Sequence, residues 1–167
     1  MKYFKYLKYV LKHKWYVMLE CFKIGLIGHG IRHDLSKFYP EEFIPYANFF
    51  GKIKQRRRKG GYYKPVDTGN KSFDYAWLLH QSRNRHHWQW WVVPEAGVLY
   101  PKAINKSNLK EMVCDWIGAS KAQGHGISIV QWWKDNNSKM TFHLNTRKKL
   151  EKIINKMKEG KKWNKNL

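Results

Sequence analysis

Cysteine is scarce: Cys21 and Cys114 are the only two in 167 residues. Two thiols exclude a disulfide scaffold and a four-cysteine zinc site. They fit buried, inert thiols in a reducing compartment, so a cytoplasmic location is expected. Acidic residues are also few, 12 against 33 Lys and Arg, which leaves a net charge of +21 and a pI near 10.0. That imbalance is unlike an ordinary metabolic enzyme and calls for an anionic partner or substrate: nucleic acid, nucleotide or acidic membrane surface. No run of 18 apolar residues exists, so no transmembrane helix is expected. Lysines interrupt the opening stretch MKYFKYLKYVLKHKWYVMLECF every few residues, and it has no small-residue cleavage site, which argues against a signal peptide. There is no internal repeat, no dividing linker and no alternating strand pattern beyond a few residues.

Aromatic residues are abundant instead, with 9 Trp, 10 Tyr and 8 Phe, and 43% of the chain is hydrophobic. That excludes a disordered basic protein, and the length suffices for a real core. Apolar spacing is helical almost throughout. Helices are expected over residues 2–24, then a short one ending near Asp34. A break at 36–40 precedes a third from Pro40, with Glu41 and Glu42 suiting its N-terminus. Further helices are expected over 72–90, over 108–122 with Asn108 and Glu111 at capping-box spacing, over 127–134 and over 146–159. Residues 92–106, holding Pro94, Gly97 and Pro101, read as a loop. The fold expected is all-α: one helical bundle of about six to seven helices over 1–167, with a basic loop at 52–71 and a basic helix at about 146–160.

Three segments carry chemistry. His33-Asp34 ends a helix. His80, Asn84 and His87, spaced four and three, share one helix face with Trp77, and His86 falls at that helix end. Asp115 sits inside the apolar stretch MVCDWIGA, and a carboxylate among such neighbours needs a cation or hydrogen-bond donors. Imidazole and carboxylate together suit one or two divalent ions from among Mn, Zn, Fe, Co and Mg. Two ions about 3.5–4 Å apart clamp the attacking and leaving oxygens of a phosphoryl group. Trp88, Trp90 and Trp91, directly after the His cluster, read as core or as a base-stacking wall, and Trp132 and Trp133 read as core.

The order His13, His33-Asp34, Asp115 resembles the HD superfamily of metal-dependent phosphohydrolases, an all-helical bundle in which an early His, a His-Asp doublet and a distant Asp ligate a divalent metal. HDLSK resembles the family variant whose Lys, here Lys37, sits near the bound phosphate. His80, His86 and His87 resemble the extra histidines with which binuclear members hold a second metal. His29, four residues before His33, is the alternative to His13 as the first ligand. HDLSKF, PEEF, FDYAW, NRHHW and CDW together resemble, over about residues 5–120, a small phage and bacterial family known only as a domain of unknown function.

The resemblance implies a phosphohydrolase of HD type that cleaves a phosphoester of a nucleotide or nucleic acid through a metal-activated water. Its ligands are His13, His33, Asp34 and Asp115 for one metal and His80 with His86 or His87 for another, with Asp34 the bridge. Lys37 with Arg83 or Arg85 neutralises phosphoryl oxygens. Asn84 orients a ligand or the substrate, and Glu41 or Glu42 shuttles a proton or merely favours its helix N-terminus. The basic run KIKQRRRK with Tyr62 and Tyr63 is a solvated loop or a nucleic-acid contact. The competing functions are a non-catalytic nucleic-acid- or nucleotide-binding protein, an HD-fold di-iron oxygenase, and a phage factor acting on host nucleotide signalling in the host cytoplasm.

Overall fold

In the computed structural model the described residues are 1–52, 67–124 and 127–163. They form seven α-helices: α1 (Lys2–Lys23), α2 (Ile27–Arg32), α3 (Pro40–Lys52), α4 (Lys71–Arg83), α5 (Lys106–Gln123), α6 (Ile129–Asn136) and α7 (Leu144–Lys158). Among the described residues no helix is long and apolar enough to cross a membrane. The expected basic run after Lys52, with Tyr62 and Tyr63, lies outside the described residues, as does His125.

Three local expectations need correction. Residues 92–101 are a hairpin, β1 (Val92–Glu95) against antiparallel β2 (Val98–Pro101), with Val92 opposite Pro101. Ala96 and Gly97 both have positive φ, which closes the two-residue turn with the right-handed twist that strand pairing requires. The helix expected over 72–90 stops at Arg83, and a separate 3₁₀ turn covers Trp88–Trp91. The break at 36–40 holds another 3₁₀ turn, Leu35–Phe38.

The apolar residues sort into two main cores. Tyr6, Val10, Tyr46, Ala47, Phe73 and Ala76 join α1, α3 and α4. Leu109, Met112, Val113, Trp133, Leu150, Ile153 and Ile154 join α5, α6 and α7. Trp88, Trp91 and Trp132 pack against the second core, as expected, whereas Trp90 is exposed. The basic helix is α7, docked by its apolar side.

A smaller cluster of Val17, Cys21 and Cys114 joins α1 to α5 between the two cores. The helices come together there at Gly118, where a Cβ would stand 2.5 Å from Val17 Cγ2 and 2.8 Å from its backbone nitrogen. Val17 lies one turn beyond His13, and Gly118 lies three residues beyond Asp115. This close approach therefore sets how near those two side chains come. Gly118→Ala gains about 1 kcal/mol of helix propensity, but overpacking at a backbone contact costs about 1–3 kcal/mol or more. The expected result is a net loss of stability in urea denaturation and a wider His13–Asp115 separation.

Candidate metal centre

The side chains singled out in the sequence converge between the two cores. Backbone geometry explains how neighbours in sequence reach one centre. Consecutive side chains on a regular helix diverge by about 100°. His33 is the residue at which α2 ends, and Asp34 follows in the left-handed region at φ 55°. Asp is one of the few non-glycine residues that adopt this conformation readily. The reversal aims His33 and Asp34 at the same point. Lys14 helps hold the turn by donating from Nζ to the His33 carbonyl at 2.8 Å. At the end of α4 the chain leaves helical geometry at Asn84, which frees His86 and His87 from the opposition a helix would impose.

Three candidate donor groups result; Asp34 belongs to two of them, and the third comprises His33, His86 and Glu111. The first comprises His13, His33, Asp34 and Asp115. His13 Nε2 lies 3.1 Å from Asp115 Oδ1 and 3.2 Å from Asp34 Oδ2. His33 Nε2 lies 3.4 Å from each of the same two oxygens and 3.3 Å from His13 Nε2. These five separations are close to the edge of about 3.3 Å of a tetrahedron whose centre lies about 2.0 Å from each vertex, the usual Zn–N or Zn–O distance. The second group comprises Asp34, His80, His86 and His87, with donor atoms within 4.8 Å of one another. Here the other Asp34 oxygen, Oδ1, faces His86 Nε2 at 3.3 Å and His80 Nε2 at 3.4 Å.

Several of these atoms are buried with no hydrogen bond among the described residues: Asp34 Oδ1, His86 Nε2 and His87 Nε2. Burying a polar atom without a partner is costly, and here such atoms gather around one point with ligand chemistry. The residues therefore fit a divalent metal. The donor set of imidazole nitrogen and carboxylate oxygen suits Zn, Mn, Fe or Co better than Ca.

Two further glutamates orient the imidazoles. Glu111 Oε1 accepts from His33 Nδ1 at 3.0 Å and lies 3.4 Å from His86 Nδ1, while Oε2 accepts from His29 Nδ1 at 2.6 Å. Glu42 Oε2 accepts from His80 Nδ1 at 2.9 Å and from Ser36 Oγ at 3.0 Å. Each carboxylate holds a proton on the far nitrogen and turns the Nε2 lone pair inward, the arrangement typical of metal-bound histidine.

Electrostatics follow from this crowding. Burial alone would raise the carboxyl of Asp34, but His33, Lys37 and His80 hold it well below the usual carboxylate range. Asp115 is lowered the same way, against its burial, by His13 and His33. Glu111 is likewise lowered by His33 and His86. Burial alone would lower His33, yet Asp34, Asp115 and Glu111 outweigh it and raise it to about 10. His87 is pushed well down by burial and by its neighbours His86 and His80. Three ionised carboxylates, Asp34, Asp115 and Glu111, thus gather in a protein that is otherwise strongly basic.

The structure sorts the remaining expectations. Lys37 is at the site, its Nζ 2.5 Å from Asp34 Oδ2, with 14% of the side chain exposed. His29, the alternative first ligand, faces Glu111 instead. Glu41 is exposed and reaches only Arg83, at 3.7 Å; its neighbour Glu42 is the buried one. Asn84 points away from the donor groups' centre, with Nδ2 donating to Ser36 Oγ and to the His80 carbonyl, both at 2.8 Å, so it steadies His80. Arg83 is held by Glu42 at 3.0 Å and lies over the Tyr39 ring. Arg85 stacks on Trp90 at the exposed surface. Among the described residues neither arginine contacts the candidate donor atoms.

Glu111 is the residue that sequence reasoning misplaced. The cap of α5 is Asn105, whose side chain accepts from Asn108 N at 3.0 Å, so the helix starts before Asn108 and there is no capping box. Glu111 then falls four residues before Asp115. That spacing puts both carboxylates on one helix face, and it is the signal that could have found Glu111.

Fold and site together define a helical-bundle protein with a buried imidazole–carboxylate nest able to hold metal ions. Within that class the chain belongs to DUF5662, described as a family of unknown function, whose match covers residues 2–156. The match includes every residue of the nest. No curated protein and no solved structure matches the chain.

Proposed function

We propose that this protein is a divalent-metal-dependent phosphohydrolase of HD type, acting on a phosphoester of a nucleotide or nucleic acid. The observation that carries this reading is the position of Asp34, whose two oxygens face two separate donor groups. The ligands in this reading are His13, His33, Asp34 and Asp115 on one side and Asp34, His80, His86 and His87 on the other. A divalent pair supplies Lewis acidity to a phosphoryl oxygen and lowers the pKa of a water towards neutrality.

The chain's own residues do the rest. Asp34 fixes the spacing of the two groups, because one carboxylate spans both. Glu111 and Glu42 hold the imidazoles in the tautomer that presents Nε2. Burial would lower Lys37, but Asp34 outweighs it and raises its pKa, so it stays cationic and can neutralise a phosphoryl oxygen at the partly open side. Protein outside the nest supplies the long-range attraction, since a charge of +21 draws a polyanion towards it.

The test is elemental analysis of untagged protein offered Mn, Zn, Fe, Co and Mg, followed by hydrolysis assays with bis(p-nitrophenyl) phosphate and a nucleotide panel. One to two bound equivalents and turnover abolished by chelation support the reading. Metal-free protein after all five offers, with nucleic-acid binding that survives chelation and falls steeply with salt, would replace it with a basic binding protein.

A pH prediction follows from His33. With its pKa at about 10 in the ion-free nest, it carries a proton at neutral pH that a metal must displace. Metal binding is therefore expected to release about one proton at pH 7, and affinity to rise about tenfold per pH unit until the pH approaches about 10. Calorimetry in buffers of different ionisation enthalpy reads the released proton directly. Binding that is independent of pH between 6 and 8 would mean that His33 is not displaced.

A further inference from the structure

The outward side of α1 is built unlike an ordinary solvated face. Tyr6, Val10, His13, Val17 and Cys21 form its buried side. Phe4, Leu11, Trp15 and Phe22 recur at intervals of seven, four and seven, which places them on one stripe well away from the buried side. They are between 39 and 73% exposed. Lys5, Lys8 and Lys12 are exposed alongside them, one helical turn apart.

The short helix α2 extends this stripe. Gly30 packs against Met18 and Cys21, and Lys14 Nζ donates to the Ile31 carbonyl, so α2 lies flat on α1. Its Ile27 and Ile31, four residues apart, are exposed on this helix packed against α1. The result is an apolar face shared by two helices, rimmed by lysine. Monomeric proteins rarely leave so large an apolar surface in water without a use for it.

We infer that this face docks on an anionic lipid bilayer, with Phe4, Leu11, Trp15, Phe22, Ile27 and Ile31 entering the interface and Lys5, Lys8 and Lys12 meeting acidic headgroups. Charge complementarity selects this occupant. A second copy brings another +21 to the contact, which opposes association. Nucleic acid binds through cations and stacked bases, which leaves the Leu and Ile side chains of this face unused. A bilayer uses both parts: aromatic and aliphatic groups at the acyl boundary, and lysines that reach outward to anionic phosphates. This inference is independent of whether the nest holds metal.

The test is co-sedimentation of the full chain with phosphatidylcholine vesicles, with and without phosphatidylglycerol, at low and high salt. The expected result is binding to the anionic vesicles alone, weakened by salt. Phe4→Glu with Trp15→Glu, and separately Lys5→Glu with Lys8→Glu and Lys12→Glu, should each lower partitioning at least about tenfold. Should the first pair lower the melting temperature, Leu11→Gln with Ile31→Gln serves on the same face. Three results would overturn the inference. One is no sedimentation with anionic vesicles. Another is loss on lysine reversal alone, with the apolar variants binding normally. The third is a dimer in analytical ultracentrifugation that Phe4→Glu with Trp15→Glu dissociates, which would make the face an interface between copies.

Discussion

Asp34→Asn is expected to lose both metals at once. Asn adopts the left-handed backbone conformation about as readily as Asp, so the turn at φ 55° survives and the effect is confined to the side chain. The amide offers one neutral oxygen where the carboxylate offered two charged ones. Its nitrogen, a donor, must face either His13 and His33 or His80 and His86, where it offers no lone pair to a metal and competes for the Nε2 lone pairs. Outer-shell partners are commonly worth about 10–100-fold in metal affinity, so removing a ligand shared by both groups should cost more than about 100-fold, with hydrolysis falling at least as far. Single-group variants supply the contrast. His13→Gln should spare the second equivalent and His86→Gln the first. If Asp34→Asn retained one full equivalent in elemental analysis, Asp34 would belong to one group only and the bridging reading would fail.

Glu111→Gln is expected to weaken both Asp34-centred sites through the imidazoles it holds. The Glu111 carboxylate reaches His33 from one donor group and His86 from the other, and it is itself held by His29. A glutamine oxygen can still accept one hydrogen bond, but it brings no charge, and its amide group donates towards an imidazole that also donates. The expected loss is about 10–100-fold in metal affinity at each site, measured by titration against a fluorescent chelator. Glu111→Ala removes the acceptor altogether and should also destabilise the protein. Leaving buried imidazole N–H groups unsatisfied costs about 1–3 kcal/mol each. His29→Ala removes only the outer partner, which is part-exposed, and should have the smallest effect of the three. Equal affinity in Glu111→Gln and the unaltered protein would show that packing alone orients the imidazoles.

The candidate ligands were legible in the sequence to an unusual degree. The His33-Asp34 doublet, the group His80, His86 and His87, and Asp115 in an apolar helix stood out because charged and imidazole side chains at such positions conflict with burial unless something balances them. Helical periodicity placed α1, α3, α5 and α7 nearly where they lie. The misreadings came from short elements. The hairpin at 92–101 has only four residues per strand, too few for alternation to register, and its exposed faces carry no hydrophobic pattern. The early end of α4 at Arg83 has no glycine or proline to announce it.

Residue type and spacing alone therefore determined the helical class, the basic character and most of the candidate donor set. Those properties reside in local periodicity, in charge and in the few chemistries able to bind metal. Tertiary structure alone decided which glutamate does what. Glu41 and Glu42 are adjacent and identical in chemistry, yet only Glu42 faces inward to His80, because helix geometry turns consecutive residues about 100° apart. Glu111 caps nothing, because Asn105 caps α5 and Glu111 lies beyond its first turn. Tertiary structure also set apart the two oxygens of Asp34. Which neighbour each one faces depends on how α1, α4 and α5 pack around the turn after α2, and that packing rests on contacts far apart in the chain, such as Gly118 against Val17.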